Sequence, residues 1–276
     1  MGPACRALHI SRSGYYQWCS GKAGGRVAEN QRIAQLVQEI HHESPDKGYR
    51  RIRDDLDKYY HTPVNDKRTL RICRCLGIQS AVKHAPHGCT RVASSPRQLA
   101  ENVLNRQFYA DRPNEKWLTD VTEFHYYTGT NMRKLYLSAI LDLCDRRIVS
   151  FVIRDTNDAA LVHRTLAQAL EGNPGARPLL HSDRGSAYTT QIFHDKLAAA
   201  GITQSMSRVG KCIDNGPMEG FWGILKRERY YGRRFTSREQ LVKMIQEYIT
   251  YYNFHRLQRG LGVRTPMEVH DRLLAA

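Results

Sequence analysis

The sequence predicts an α/β protein: a mixed five-stranded sheet with helices on its faces, preceded by a small helical region and followed by C-terminal helices. Three observations carry this expectation. From Lys116 onward, β-rich and helical stretches follow one another in the order β-β-β-α-β-α-β-α. Before residue 80 the apolar residues recur at helical spacing. After residue 236 a long helical run rich in Tyr follows. The expected divisions are a helical region at 1–80, a linker at 81–110, a sheet-bearing core at 111–235 and a helical extension at 236–276.

Each element has a local cause. Ser11 is placed to cap a short helix carrying Tyr15, Tyr16 and Trp18. Arg26 to His42 reads as an amphipathic helix with Ile33, Leu36, Val37 and Ile40 on one face. Ser44 to Gly48 is a turn, after which Tyr49, Ile52, Leu56 and Tyr59 mark a second helix. Asn65 caps a third, with Leu70, Cys73 and Leu76 inward and Gly77 at its end. Outward-facing Arg50, Arg51, Arg53, Lys67, Arg68, Arg71 and Arg74 make this pair a helix-turn-helix reader of DNA or, in the alternative, a helical subdomain with a solvated basic face. Residues 81–105 lack periodicity and carry Pro, Gly and Ser. KWLTDVTEFHYY, LYLSAILDL and RIVSFVIRD are three strands, with turns at Gly129–Asn131 and Cys144–Arg146. Asn157 to Glu171 is helical, ARPLLHSD a buried strand, Thr189 to Ala200 a helix and ITQSMS a short strand. Met218, Phe221, Trp222 and Leu225 fall at i, i+3, i+4 and i+7, a buried helical stripe with Glu219 beside it and Lys226 two turns further on. Ser237 to Phe254 is the Tyr-rich helix.

The net charge of +15 points to a polyanionic partner, and +9 of it lies within residues 1–106. Seven cysteines do not pair evenly, and no apolar leader precedes them, which suggests a reduced, cytoplasmic protein. The longest apolar run, Leu135 to Leu143, is too short to span a bilayer. Cys73, Cys75, His84, His87 and Cys89 match no standard zinc spacing and read as core and loop residues.

Three acids stand where apolar patterns stop: Asp120 in the first strand, Asp183 at the end of PLLHSD, and Glu219 on its helix. Carboxylates converging at the edge of a sheet repel one another unless cations sit among them. Hard oxygen ligands point to Mg²⁺ or Mn²⁺, and two such ions suit phosphoryl displacement. In a basic protein the substrate would be a nucleic-acid phosphodiester.

The blocks NRQFYADRPNEKWLTDVTEF, HSDRGSAY, SMSRVGKCIDNGPMEGFWGILKRE and YYNFHRLQRGLGVRTPMEV resemble, in order, the signatures of the second-frame product of IS3-family insertion sequences. HHESPDKGYRRIRDDL and VNDKRTLRICRCLGIQS resemble that family's N-terminal helical DNA-binding segment, so the likeness runs over roughly residues 5–270. The resemblance implies a DDE transposase with an RNase H-like, integrase-type core. Its acidic triad would be Asp120, Asp183 and Glu219, with thirty-five residues between the last two, and would hold two Mg²⁺ or Mn²⁺ ions. Lys226 would contact DNA near the site. The partners implied are the element's terminal inverted repeats, target DNA, an upstream-frame product joined as a fusion, and further copies of the chain on DNA. The location implied is the bacterial cytoplasm, at the nucleoid.

Competing acids receive structural roles: Asp142 as a strand-end residue, Glu123 on the strand face opposite Asp120, and Asp214, with Asn215 beside it as the other candidate, as a helix cap. His181 and Asn215 are expected to border the site, with a packed histidine as the alternative for His181. Arg184, Arg208 and Lys211 could bind phosphates or form a solvated basic face, while Arg50, Arg51 and Arg71 are the DNA-contact candidates in the N-terminal region. Tyr251, Tyr252, Asn253, Arg256 and Arg259 mix aromatic and basic character, and packing is the favoured role for the tyrosines. Two rival functions remain beside transposition: a nuclease of the same fold that does not join strands, and a non-catalytic DNA-binding regulator.

Overall fold

The apolar periodicities are realised as two compact units, Met1–Val82 and Lys83–Ala276, in a computed structural model that describes residues 2–8, 10–20, 25–82, 99–208 and 212–275. In the first unit, α1 spans Gly2–Ala7 and α2 spans Arg12–Cys19, whose cap Ser11 accepts the Gly14 N–H at 3.0 Å. Helices α3 (Gly25–Glu43), α4 (Tyr49–Lys58) and α5 (Asp66–Cys75) enclose a small core of Ile33, Val37, Ile40, Ile52, Leu56, Ile72 and Cys73. Asn65 caps α5 through the Arg68 N–H at 2.7 Å, and Gly77 takes the left-handed conformation that ends it. Two inward residues differ from expectation. α5 turns Thr69, Ile72 and Cys73 inward and leaves Leu70 half-buried. Tyr59 follows the last turn of α4 and is 48% exposed.

In the second unit, β1 (Lys116–Thr128) and β2 (Asn131–Asp142) form a long hairpin that turns at Gly129, where φ is +62°. Next come β3 (Ile148–Arg154), α6 (Ala159–Gly172), β4 (Leu179–Ser182), α7 (Gln191–Ala199) and β5 (Thr203–Met206). The order is the one the periodicities predict. The strands make one sheet, β3-β2-β1-β4-β5, antiparallel across β3-β2-β1 and parallel across β1-β4-β5. The chain then forms a 3₁₀ turn at Cys212–Asn215, α8 at Gly216–Leu225, a π-helical turn at Lys226–Tyr230, and α9 at Arg238–Phe254. A last helix, α10 (Pro266–Leu274), completes the expected C-terminal helices. Its signal is present in the sequence, since Thr265 and Glu268 form a capping box around Pro266.

Alternation along β1 divides the apolar residues between two cores. Leu118 and Phe124 join Leu135, Leu137, Ala139 and Leu141 of β2 under α8 and α9. Trp117 and Leu180 face the opposite layer, with Val162 and Leu166 of α6 and Phe193 and Leu197 of α7. Residues 99–110 also join this unit: Leu104 and Ala110 are buried in the α8–α9 core, and the Leu104 N–H donates to Ser205 Oγ at 3.1 Å. Among the described residues no helix is long and apolar enough to cross a membrane.

Candidate active site

Parallel pairing sets the position of the first two acids. Lys116, Trp117 and Leu118 of β1 stand opposite Leu179, Leu180 and His181 of β4. Continuing that one-to-one register brings Asp120 opposite Asp183, the residue just past the end of β4. Both belong to the face that carries Leu118, and α8 packs on that face. Helix α8 buries Met218, Phe221, Trp222 and Leu225, the stripe expected from their spacing. Glu219 lies in its first turn and remains exposed at the flank of the stripe.

Each carboxylate is oriented by its own N–H donors. Asp120 Oδ1 accepts the Val121 N–H at 2.8 Å, and Oδ2 accepts the Trp222 indole N–H at 3.0 Å. Asp183 Oδ1 accepts the Gly185 N–H at 2.8 Å. A Cβ on residue 185 would stand 2.9 Å from that oxygen, so the glycine makes the approach possible. Burial, followed by the charge of Asp183, pushes the Asp120 carboxyl up to about 7, and the charge of Glu219 adds to this. Asp183 is raised by the protein crowded around it, although its side chain keeps solvent access at the strand end, and Glu219 is raised for the same reason. Asp120 therefore feels the charge of both other acids, which favours its protonation or a nearby cation. Among the described residues no three His, Cys, Asp or Glu side chains are gathered closely enough to hold a metal ion.

The floor of this site contains a residue not singled out from sequence. Tyr188 is buried, with its hydroxyl 3.3 Å from Thr119 Oγ1, and its ionisation is strongly opposed by burial and then by Asp120 and Asp183. It ends the HSDRGSAY block, which was its only signal. Trp222 was read as packing alone, and its indole N–H is the second missed contribution.

Lys226 begins the π-helical turn, where α8 widens. Its ammonium lies 5.0 Å from the centre of the Phe124 ring, and burial lowers its pKa against the pull of Asp120 and Glu123. Glu123 is engaged by His125 at 2.7 Å and Lys134 at 3.1 Å. Asp142 is the last residue of β2, as expected. It is buried, accepts N–H groups from Asn114, Trp117 and Cys144, and is pushed up to about 6 by burial and Asp145.

Asp214 requires a correction. It does not cap α8, whose N-cap is Asn215. Asp214 is buried in the preceding 3₁₀ turn, and the Arg208 guanidinium, with Arg106 beside it, holds its carboxyl well below the usual range. Arg208 lies six residues before it, but Arg106 comes from 108 residues away, and no local capping pattern reveals that the two cations meet on Asp214. Asn215 is buried under β1, donating to the Thr119 carbonyl at 3.3 Å. His181 is buried between Ser205 (2.8 Å) and Ser207 (3.1 Å), and burial lowers it to about 4, so it is a neutral packed histidine.

The basic candidates divide by partner. Arg208 is engaged by Asp214, and Arg184 donates to the Ser207 carbonyl at 2.7 Å. Lys211, His84, His87 and Cys89 lie outside the described residues. Cys73 is buried in the first unit's core and Cys75 is exposed. Also in that unit, Arg51 pairs with Asp46 at 3.0 Å, Arg50 lies over the Tyr49 ring at 5.5 Å, and Arg71 is exposed on α5. Arg256 forms a buried ion pair with Glu228 at 2.9 Å, Tyr252 is packed, and Asn253 bonds both the N–H and the carbonyl of Ile148.

The integrase core domain family matches residues 110–212, a second integrase core model matches 200–266, and an HTH-like domain model matches 28–86. The chain is 37% identical over 269 residues to the InsK protein of insertion sequence element IS150 from Escherichia coli (strain K12), covering 97% of this chain and 92% of the relative. It is 29% identical over 287 residues to transposase InsF for insertion sequence IS3fB from the same organism, covering 98% and 94%. Among solved structures, the HTLV-2 integrase catalytic core domain aligns with 58% of this chain and 98% of its own at 19% identity, with a TM-score of 0.43. The chain belongs to the IS3 family of insertion-sequence transposases, with an integrase core domain behind an HTH-like domain.

Proposed function

We propose that the chain cleaves and joins DNA strands at insertion-sequence ends, with Asp120, Asp183 and Glu219 as the acids that hold two Mg²⁺ or Mn²⁺ ions. The observation that supports this reading is the parallel register of β1 and β4, whose continuation leads to Asp120 and Asp183, with the charge of Asp183 acting on Asp120 and the helix of Glu219 joined to Asp120 through Trp222. The donor set fits a hard divalent cation: carboxylate oxygens, mutual repulsion and pKa values raised by burial. Ions bound there would stabilise the charge on the attacking and leaving oxygens of an in-line displacement.

The chain's own residues supply the rest. Val121 and Trp222 fix Asp120, Gly185 fixes Asp183, and α8 carries Glu219 to the sheet face. Water attacks a phosphodiester at the element's end, the P–O3′ bond breaks, and a free 3′-hydroxyl remains. That hydroxyl then attacks a second phosphodiester, and the displaced strand leaves with its own 3′-hydroxyl. No side chain needs to form a covalent bond with DNA.

The divisions 1–80, 81–110, 111–235 and 236–276 are proposed as DNA-binding region, linker, catalytic core and extension. DNA ends and target are the proposed substrates, further copies and an upstream-frame product the proposed partners, and the nucleoid of the bacterial cytoplasm the proposed location. The test uses uncut and pre-cut element ends, target DNA and Mg²⁺. Asp183→Asn should abolish both cleavage and joining while DNA binding persists. Wild-type cleavage without joining would leave a nuclease, and undiminished cleavage by Asp183→Asn would refute the site.

A further inference from the structure

The indole of Trp222 has a function that its place in an apolar stripe conceals. It lies one helical turn beyond Glu219 on α8 and is 6% exposed. Its single polar atom, Nε1, could have been left to solvent at the helix flank. Instead it donates to Asp120 Oδ2 at 3.0 Å, across from the helix to the strand. A buried indole N–H meets its hydrogen-bonding requirement in this way. The effect on the acceptor matters more. Asp120 Oδ1 takes the Val121 N–H and Oδ2 takes the indole, so each oxygen has one donor and keeps one lone pair. The carboxylate is thereby held in one rotamer, with its two oxygens available separately.

We infer that Trp222 is a positioning residue for Asp120, fixing the carboxylate for divalent-cation binding and linking it to the helix that presents Glu219. The inference rests on the reading of Asp120 as a metal-holding acid. Donors to a ligating carboxylate orient it, and their loss typically weakens metal binding about 10–100-fold. Neighbouring contacts account for the ring's packing but not for this bond. Phe221, its neighbour in sequence and also buried, packs tilted against Trp222 (ring centres 5.0 Å apart) and edge-on to Tyr252 (4.7 Å) and has no polar atom to offer.

The test is Trp222→Phe, which keeps an aromatic ring and removes the N–H. Phe221→Leu on the same helix controls for packing. Mn²⁺ binding is measured by calorimetry on the full chain without DNA, and cleavage is measured across a Mn²⁺ series. Trp222→Phe should weaken Mn²⁺ binding about tenfold and raise the Mn²⁺ concentration for half-maximal cleavage by the same factor, with kcat recovering at saturating Mn²⁺ and KM for DNA unchanged. Phe221→Leu should leave Mn²⁺ binding as in the wild type. Wild-type Mn²⁺ binding by Trp222→Phe, or an equal loss in both variants, would overturn the positioning role. Asp183→Asn separates the two layers. If it abolishes Mn²⁺ binding while Trp222→Phe does not, only the role of Trp222 fails. If it binds Mn²⁺ normally, the metal reading fails and takes this inference with it.

Discussion

Asp120 pays for its position in stability. Its carboxyl is raised to about 7 by burial and by Asp183, so the contribution of the protonated form is complete below about pH 4 and is lost as pH rises through 7. Without divalent ions, Asp120→Asn should therefore be more stable than wild type at pH 8, by on the order of 2 kcal/mol once residual solvent is allowed for. Thermal melts at pH 8 and pH 5 check this, and the gap should narrow at pH 5. A gap independent of pH would contradict the assigned cause. Gly185 makes a second residue-scale prediction. The Cβ of Gly185→Ala would meet Asp183 Oδ1 at 2.9 Å, and the carboxylate, as the flexible partner, would swing away. Cleavage should fall at least about tenfold while the melting temperature changes little. A large loss of stability instead would mean that the backbone had moved.

Two helices carry the candidate DNA contacts and the candidate chemistry. In the first unit, the cations of α4 are largely engaged within the protein: Arg51 by Asp46, and Arg53 by Asp54 and Asp66. On α5, Lys67, Arg71 and Arg74 stay exposed at i, i+4 and i+7, while Thr69, Ile72 and Cys73 face the core. Sequence reading gave α4 and α5 equal weight because it counts charges and does not see their partners. If α5 is the DNA-facing helix, the Arg71→Ala, Arg74→Ala double variant should lower the slope of log affinity against log salt by about 2 for a mixed-sequence duplex. Titration by fluorescence anisotropy between 50 and 300 mM salt, on the order of the range in which such slopes are resolved, checks it, and an unchanged slope would return the contact to another surface. Helix α8 faces the second task. Leu225 is fully buried at its C-terminal end, and Leu225→Ala should cost about 3 kcal/mol and loosen the seat of Glu219. A denaturant midpoint measurement reads the cost.

Across the second unit, the C-terminal helices hold the sheet through buried polar contacts as well as apolar ones. Glu228, in the π-helical turn after α8, accepts from Tyr248 of α9 at 2.9 Å and pairs with Arg256 beyond it. Asn253 closes the N–H and carbonyl of Ile148 at the start of β3, and His270 of α10 meets buried Asp145 at 2.7 Å. The free edge of β1 beyond β4 is closed as well: the Tyr230 hydroxyl serves the His125 N–H and carbonyl, and the Tyr127 N–H reaches the Phe235 carbonyl at 2.9 Å. Removing one partner of a buried pair leaves an unpaired charge, so Glu228→Gln should destabilise this unit by about 3 kcal/mol. Thermal unfolding would show a drop of roughly 6–12 °C, and a negligible change would mean that Arg256 finds another partner.

The sequence by itself determined the elements and the order in which they occur. Periodicity along β1, the Ser11 and Asn65 caps, and the Met218–Leu225 stripe are local patterns, and local patterns survive in one dimension. The four sequence blocks also marked Asp120, Asp183 and Glu219 as the acids to examine. Only the tertiary structure decided what those acids touch. Parallel pairing of β1 with β4 brought Asp120 within reach of the charge of Asp183, and the helix-to-strand crossing gave Trp222 to Asp120. Arg106, 108 positions away, joins neighbouring Arg208 on Asp214 and turns it from an expected cap into a buried anchor. The physical reason is common to all three. Contacts between residues sixty or a hundred positions apart depend on how layers pack, and no spacing in the chain encodes the distance between them.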